Sequence, residues 1–242
     1  MSMLENKVCI ITGGATGIGK GIATLYAKNG ANLVLAARRK NLLEEAVSDL
    51  RQFGTKVDFV VTDVTNEQDV IHLFSKTLSE FGQLDILVNN SGVAAGGPIE
   101  EIDINTWLNV INVNLTGVFL CTREAMRIMK KQNQGRIINI GSISAQVPRM
   151  NSAPYTSSKH GLVGLTKSTA LEGREYGISA GCLHPGNTES ELLLSGIGSN
   201  KEVMMSVNEI ASVALTMAAL PPNANMLEAI VLPVKQKYIG RG

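Results

Sequence analysis

Short apolar runs alternate with longer segments of helical periodicity along most of the chain. Residues 8–11, 33–37, 57–61, 84–88, 137–140 and 179–183 are apolar at nearly every consecutive position, the pattern of strands covered on both faces. Between them, Ile18, Ile22, Leu25 and Tyr26 share one face of a helix closed by Asn29 and Gly30. Val70, Leu73, Phe74, Thr77, Leu78 and Phe81 share a face of another, with Thr65 and Gln68 spaced as a capping box at its start. Strand-then-helix units repeat without a Pro/Gly/Ser-rich linker. They predict an α/β fold: a doubly wound parallel sheet of about seven strands, helices on both faces, in a single domain over residues 1–242. The mixed segment 189–206 is where a lid over a site is expected.

Composition narrows the function classes. With 44% hydrophobic and 18% charged residues the chain is a globular one, and a formal charge of +1 without a basic stripe argues against a nucleic-acid partner. The N-terminal residues lack the basic start and long apolar stretch of a signal peptide. No uncharged apolar run reaches the roughly 18 residues of a membrane span, so a cytoplasmic protein without membrane contact is expected. Cys9, Cys121 and Cys182 each sit singly in apolar surroundings, as reduced core thiols do. His72, His160 and His184 are far apart and pair with no cysteine at ligand spacing, so no metal site is expected.

The first candidate chemistry lies directly after the first strand, in Thr12-Gly13-Gly14-Ala15-Thr16-Gly17-Ile18-Gly19. Glycines at a strand-to-helix turn let backbone amides approach a pyrophosphate at the positive end of a helix. An ATP or GTP loop is ruled out by spelling, because Gly21 stands where a Ser or Thr would hold Mg²⁺. No serine sits in a G-x-S-x-G elbow, which argues against a serine hydrolase. A unit binding NAD carries an acid about 20 residues past its glycines; here the second strand ends in Arg38 and Arg39. Guanidinium groups suit a 2′-phosphate, so NADP(H) is the expected cofactor. Further on, Tyr155 and Lys159 lie four apart just after Pro154, on one face of an expected helix. An adjacent ammonium and an oxidised nicotinamide both favour a phenolate, which makes Tyr155 a candidate for proton exchange with a carbonyl or alcohol. Ser142 and Ser144, just beyond the fifth strand, are rival candidates to orient the substrate oxygen.

The T-G-x-x-x-G-x-G spelling of the glycine loop resembles the short-chain dehydrogenase/reductase family. So do, in order, Asp63-Val64, Asn89-Asn90-Ser91-Gly92, Asn114, Ser142, Tyr155-x-x-x-Lys159 and Pro185-Gly186, over residues 5–190. The resemblance implies hydride transfer between NADP(H) and a carbonyl or secondary alcohol, with Asn114, Ser142, Tyr155 and Lys159 catalytic. It implies cofactor contacts at Gly13, Thr16, Gly17, Ile18, Gly19, Asp63, Val64, Asn90, Ser91, Gly92, Pro185 and Gly186, and from Tyr155 and Lys159 as well. Asp63 would meet the adenine amino group, Val64 its ring, Asn90 the ribose, and Asn114 would shape a helix kink and hold a water. Thr188 or Ser190 would meet the nicotinamide carboxamide.

The resemblance also implies a homotetramer. Val110, Val113, Val118, Phe119, Leu120 and Met126, with Leu162, Val163 and Leu165, look like more apolar surface than one side of a sheet can cover. Val147, Met150, Leu192, Leu193, Leu194, Met204 and Met205 flank the expected pocket and suggest an apolar carbonyl compound or secondary alcohol, with a 3-oxoacyl thioester the leading precedent in the family that the chain resembles. The last residues depart from the family's common V-D-G-G ending and are expected to reach a neighbouring subunit. A non-catalytic NADP(H)-sensing regulator on the same fold is the alternative.

Overall fold

The computed structural model describes residues 2–189 and 203–238. Seven strands form one parallel sheet in the order β3-β2-β1-β4-β5-β6-β7. They are β1 (Val8–Thr12), β2 (Asn32–Ala37), β3 (Val57–Val61), β4 (Ile86–Asn89), β5 (Gly135–Ile140), β6 (Ile178–Pro185) and β7 (Glu228–Val231). The helices are α1 (Gly17–Lys28), α2 (Lys40–Arg51), α3 (Glu67–Phe81), α4 (Ile104–Ile111), α5 (Gly117–Gln132), α6 (Ala153–Gly173) and α7 (Val207–Ala219). This is the expected doubly wound fold.

Consecutive apolar positions are explained by the two layers. Cys9 and Ile11 of β1 pack with α1, α2 and α7, whereas Ile10 between them packs with α3 and α5 on the opposite face. β2 repeats this, with Leu33 and Leu35 on one side and Val34 and Ala36 on the other. A polar residue within the runs 8–11 or 33–36 would face a dry layer. β7 was the strand least visible in the pattern: it closes the edge beside β6, and Ile230 is 45% exposed, so its sequence lacks the apolar run of a central strand.

Two local expectations are corrected. The cap of α3 is Asn66, whose side chain accepts from the amides of Gln68 and Asp69; Thr65 instead bonds to Asp63 Oδ1 through its amide and hydroxyl. Asn is at least as good an N-cap as Thr, and Asp63 holds Thr65 out of the register a box would need. Val110, Val113, Val118, Leu120 and Leu162 are buried within the chain itself, so they are not surplus surface. The exposed apolar residues on this side are Ile104, Leu108 and Phe119. The continuous helical run Ile104–Gln132 is long and apolar enough to cross a membrane by composition alone, yet α5 packs on β4, β5, α3 and α6.

Candidate functional site

The strand order reverses between β1 and β4, each of which leads away to an opposite side of the sheet. In such sheets the crevice at the strands' carboxyl ends receives the ligand. Here a cavity of about 490 Å³ opens at those ends.

One half of the cavity is built on the glycine turn. Gly13 and Gly17 adopt φ of +62° and +53°, a left-handed backbone that suits glycine. At Gly19 the reason is space: a Cβ there would collide with Gly13 O and reach 2.5 Å from Asn90 Nδ2. Thr12 and Asn90 lock the turn to β4. Thr12 Oγ1 accepts from the amides of Asn90 and Ser91 at 3.0 and 3.1 Å, and Asn90 Nδ2 donates to Thr12 O and Gly13 O, each at 3.1 Å. The N-cap Thr16 makes no side-chain bond to the first turn of α1, and that turn carries no acid. This bare, positive helix end behind a glycine-rich turn fits a dinucleotide's pyrophosphate.

Arg38 and Arg39 border the cavity where β2 ends, and both are exposed. Asp63 lies across from them. Partial burial pulls its carboxyl up, but two hydrogen bonds from Thr65 and the charge of Arg38 outweigh this and hold it below the usual carboxylate range. A basic edge with one carboxylate already engaged fits a nucleotide bearing an additional phosphate.

The other half carries Ser142, Tyr155 and Lys159. Ser142 caps the 3-10 turn Ile143–Ala145, its Oγ accepting from Ser144 N at 3.1 Å. Ser144, which lines the cavity as well, thus orients Ser142 through its backbone. Tyr155 and Lys159 lie one turn apart on α6, with Pro154 in the first turn as expected. Lys159 is buried; its Nζ donates to Ile140 O at 2.8 Å and stands 5.7 Å from the Tyr155 ring centre.

Of the expected residues, Gly19 and Asn114 do not line the cavity. Asn114 is fully buried in the π-helical turn Asn112–Thr116 between α4 and α5. Its Oδ1 accepts from Val93 N at 2.8 Å, while Nδ2 donates to Val93 O at 2.9 Å and Ser158 Oγ at 3.1 Å. Asn114 thus ties the loop after β4 to α6 through direct bonds. Thr188 lines the cavity and donates to Gly186 O; Ser190 lies outside the described residues.

The described members of the expected apolar flank do not line the cavity. Val147, Met150 and Met204 are exposed, Met205 packs in the core, and Leu192, Leu193 and Leu194 lie outside the described residues. Most of the expected lid, residues 190–202, lies outside them too. Near Ser142 the wall includes Val93, Ala94 and Ile143, together with Arg149, Ser152 and Asn187, which sequence reasoning missed. Arg149 had a signal: it is the only charged residue between Arg136 and Lys159. Its guanidinium donates to Asn187 Oδ1 at 2.6 Å.

Behind Ser142 sits His184, fully buried, with Nδ1 3.0 Å from Ser142 O. A carbonyl can only accept, so Nδ1 carries the proton. Burial, more than any charge nearby, pushes His184 below the usual histidine range. Burial also pushes the thiols of Cys121 and Cys182 up to about 12, and Cys9 higher than usual, so the three free cysteines serve as core residues. Among the described residues no cluster of metal-ligating side chains is present.

The family model described as short chain dehydrogenase matches residues 7–196. An uncharacterized oxidoreductase, YxjF of Bacillus subtilis (strain 168), is 35% identical over 95% of this chain and 97% of its own. The granaticin polyketide synthase putative ketoacyl reductase 1 of Streptomyces violaceoruber is 40% identical over 76% of this chain and 69% of its own. An alcohol dehydrogenase of the archaeon Thermococcus sibiricus, solved in complex with 5-hydroxy-NADP, superposes with a TM-score of 0.89 at 27% identity, over 96% of this chain and 98% of that one. With a matching family model over most of its length and a relative of this similarity end to end, the chain belongs to the short-chain dehydrogenase family of oxidoreductases.

Proposed function

We propose that the protein is an NADP(H)-dependent reductase or dehydrogenase that interconverts a carbonyl compound and a secondary alcohol within a single catalytic domain. The observation that carries this reading is the meeting of Ser142, Tyr155 and Lys159 with the glycine turn on one cavity. NADP(H), when bound, supplies or receives the hydride. The amides at Gly13, Thr16, Gly17 and Ile18 would hold its pyrophosphate, and Arg38 with Arg39 its 2′-phosphate. Asp63, Val64, Asn90, Ser91 and Gly92 would hold the adenosine side, and Pro185, Gly186 and Thr188 the nicotinamide side.

Tyr155 gives a proton to the substrate oxygen in reduction and takes it back in oxidation. Ser142 Oγ, one lone pair engaged by Ser144 N, has its own proton to donate to that oxygen and so fixes the angle of approach. Lys159 spends one N–H on Ile140 O, which leaves the others for the phenol side and the nicotinamide ribose. Asn114 keeps α6 aligned with the loop after β4. Val93, Ala94 and Ile143 would receive the apolar body of a substrate, and Arg149, Ser152 and Asn187 a polar edge.

The exposed Ile104, Leu108 and Phe119 support self-association, with a homotetramer as the expected assembly. The deciding experiment is an NADPH and NADH consumption assay over a panel of ketones, aldehydes and 3-oxoacyl thioesters. Turnover with NADPH supports the reading. Tight NADPH binding without turnover on any class would favour the sensing regulator instead.

A further inference from the structure

We propose that Gln236 is a positioning residue for the nicotinamide side of the cavity, and that the segment after β7 is a strap holding the backbone of Gly186 and Asn187. This deepens the reading of the cavity as an NADP(H) site and rests on it. The segment was expected to reach a neighbouring subunit; in its described part it folds back on its own chain.

The strap takes two consecutive amides. Gly186 N donates to Val231 O at 2.7 Å, and Asn187 N donates to Gln236 Oε1 at 2.9 Å. Between these two acceptors the chain turns at Pro233, closed by a 2.8 Å bond from Gln236 N to Pro233 O. Val234, Lys235 and Lys237 are exposed around this turn, and Gln236 is the side chain that points inward. The fit is close. A Cβ on Gly186 would collide with Gln236 Oε1 and reach 2.9 Å from Leu232 and 3.1 Å from Pro233.

The orientation of the Gln236 amide follows from chemistry, because only its oxygen can receive the Asn187 N–H. Its Nε2 is then buried with no partner among the described residues. What the oxygen secures is the backbone next to the site: Gly186, Asn187 and Thr188 all line the cavity, and Asn187 is 2% exposed. From its other side Asn187 is met by Arg149 at Oδ1 and by Met205 N at its carbonyl, and Gln236 adds a tether at its amide. Thr188 Oγ1 takes its direction from Gly186 O, within the same held segment.

The test compares Gln236→Leu, which removes the acceptor, with Gln236→Glu, which keeps an acceptor oxygen. Amide hydrogen exchange on the unliganded protein reads the strap directly, and fluorescence titration with NADPH reads its service to the site. In Gln236→Leu the Asn187 amide should exchange at least tenfold faster and NADPH should bind at least fivefold more weakly, the lower end of what an unpaired buried amide costs. Gln236→Glu should restore exchange to within about twofold and recover most of the affinity. Unchanged exchange in Gln236→Leu overturns the strap. Faster exchange with unchanged NADPH affinity overturns the positioning role while leaving the functional reading intact. Failure of the unmodified protein to bind NADPH or NADH overturns that reading, and this inference with it.

Discussion

Lys159 holds its ammonium 5.7 Å from the centre of the Tyr155 ring while donating to Ile140 O, so one buried cation is pinned to the end of β5 and faced toward the phenol. A charge fixed in place beforehand assists a proton transfer more than one that must first be reoriented. Tyr155→Phe removes the proposed proton donor and keeps the ring. It should lower kcat by at least about 10²-fold, the scale of general acid catalysis, with NADPH affinity changed by less than about threefold. Steady-state kinetics together with nucleotide titration check both halves. A variant keeping more than a tenth of the parent rate would show that another group moves the proton.

Arg38 makes the cofactor preference testable. Its charge already acts on Asp63, on the side of the cavity proposed for the adenosine. Arg38→Asp would exchange attraction for repulsion at the expected 2′-phosphate. NADPH binding should weaken by about 10²-fold or more, and NADH, which lacks that phosphate, should gain on it. Parallel titrations give the ratio, and an unmodified protein that prefers NADH contradicts the assignment.

The parts of the fold that were legible in the sequence are those where one local rule acts alone. The runs at β1 and β2 are apolar at every position because two dry layers cover them, whereas a strand with one wet face would alternate with polar residues. β7 escaped because an edge strand with a half-exposed face needs no such run. The pocket's motifs were legible as spellings, but their partners were not. Gln236 lies 49 positions from Asn187, and nothing local marks a glutamine that will be bonded across that distance. The apolar residues around position 150 misled for a related reason: hydrophobicity does not say which side of a loop faces a cavity, and Arg149 faces it where Val147 and Met150 do not.

Gly19 offers a steric test of the cradle that involves no catalytic group. A methyl group there would drive into Gly13 O and the Asn90 amide, neither of which can retreat without breaking the Thr12 and Asn90 bonds. Gly19→Ala should weaken NADPH binding by at least tenfold, while Gly97→Ala, where an added Cβ meets nothing within 4 Å, should leave it unchanged. Equal affinities in the two variants would remove the cradle from the binding site.

His184 gives a pH dependence whose sign can be worked out. Burial depresses its folded-state pKa below the ordinary 6.5; the bond to Ser142 O and the charge of Glu228 oppose this, and Lys159 and Lys167 add to it. Between the depressed value and 6.5 the unfolded chain binds more protons at this residue than the folded one, so stability rises with pH across that window. The contribution of neutral His184 is therefore complete above about 6.5 and is lost as the pH falls toward the depressed value. His184→Asn can keep a donor for Ser142 O but does not titrate. At pH 7.5 it should be less stable by about 1–3 kcal/mol, because a fully buried ring is replaced by a smaller group. On acidification the gap between parent and variant should narrow from about pH 6.5 downward. Urea unfolding of both proteins at several pH values measures it, and a gap that stays constant below about pH 6.5 would mean that His184 takes no part in the acid response.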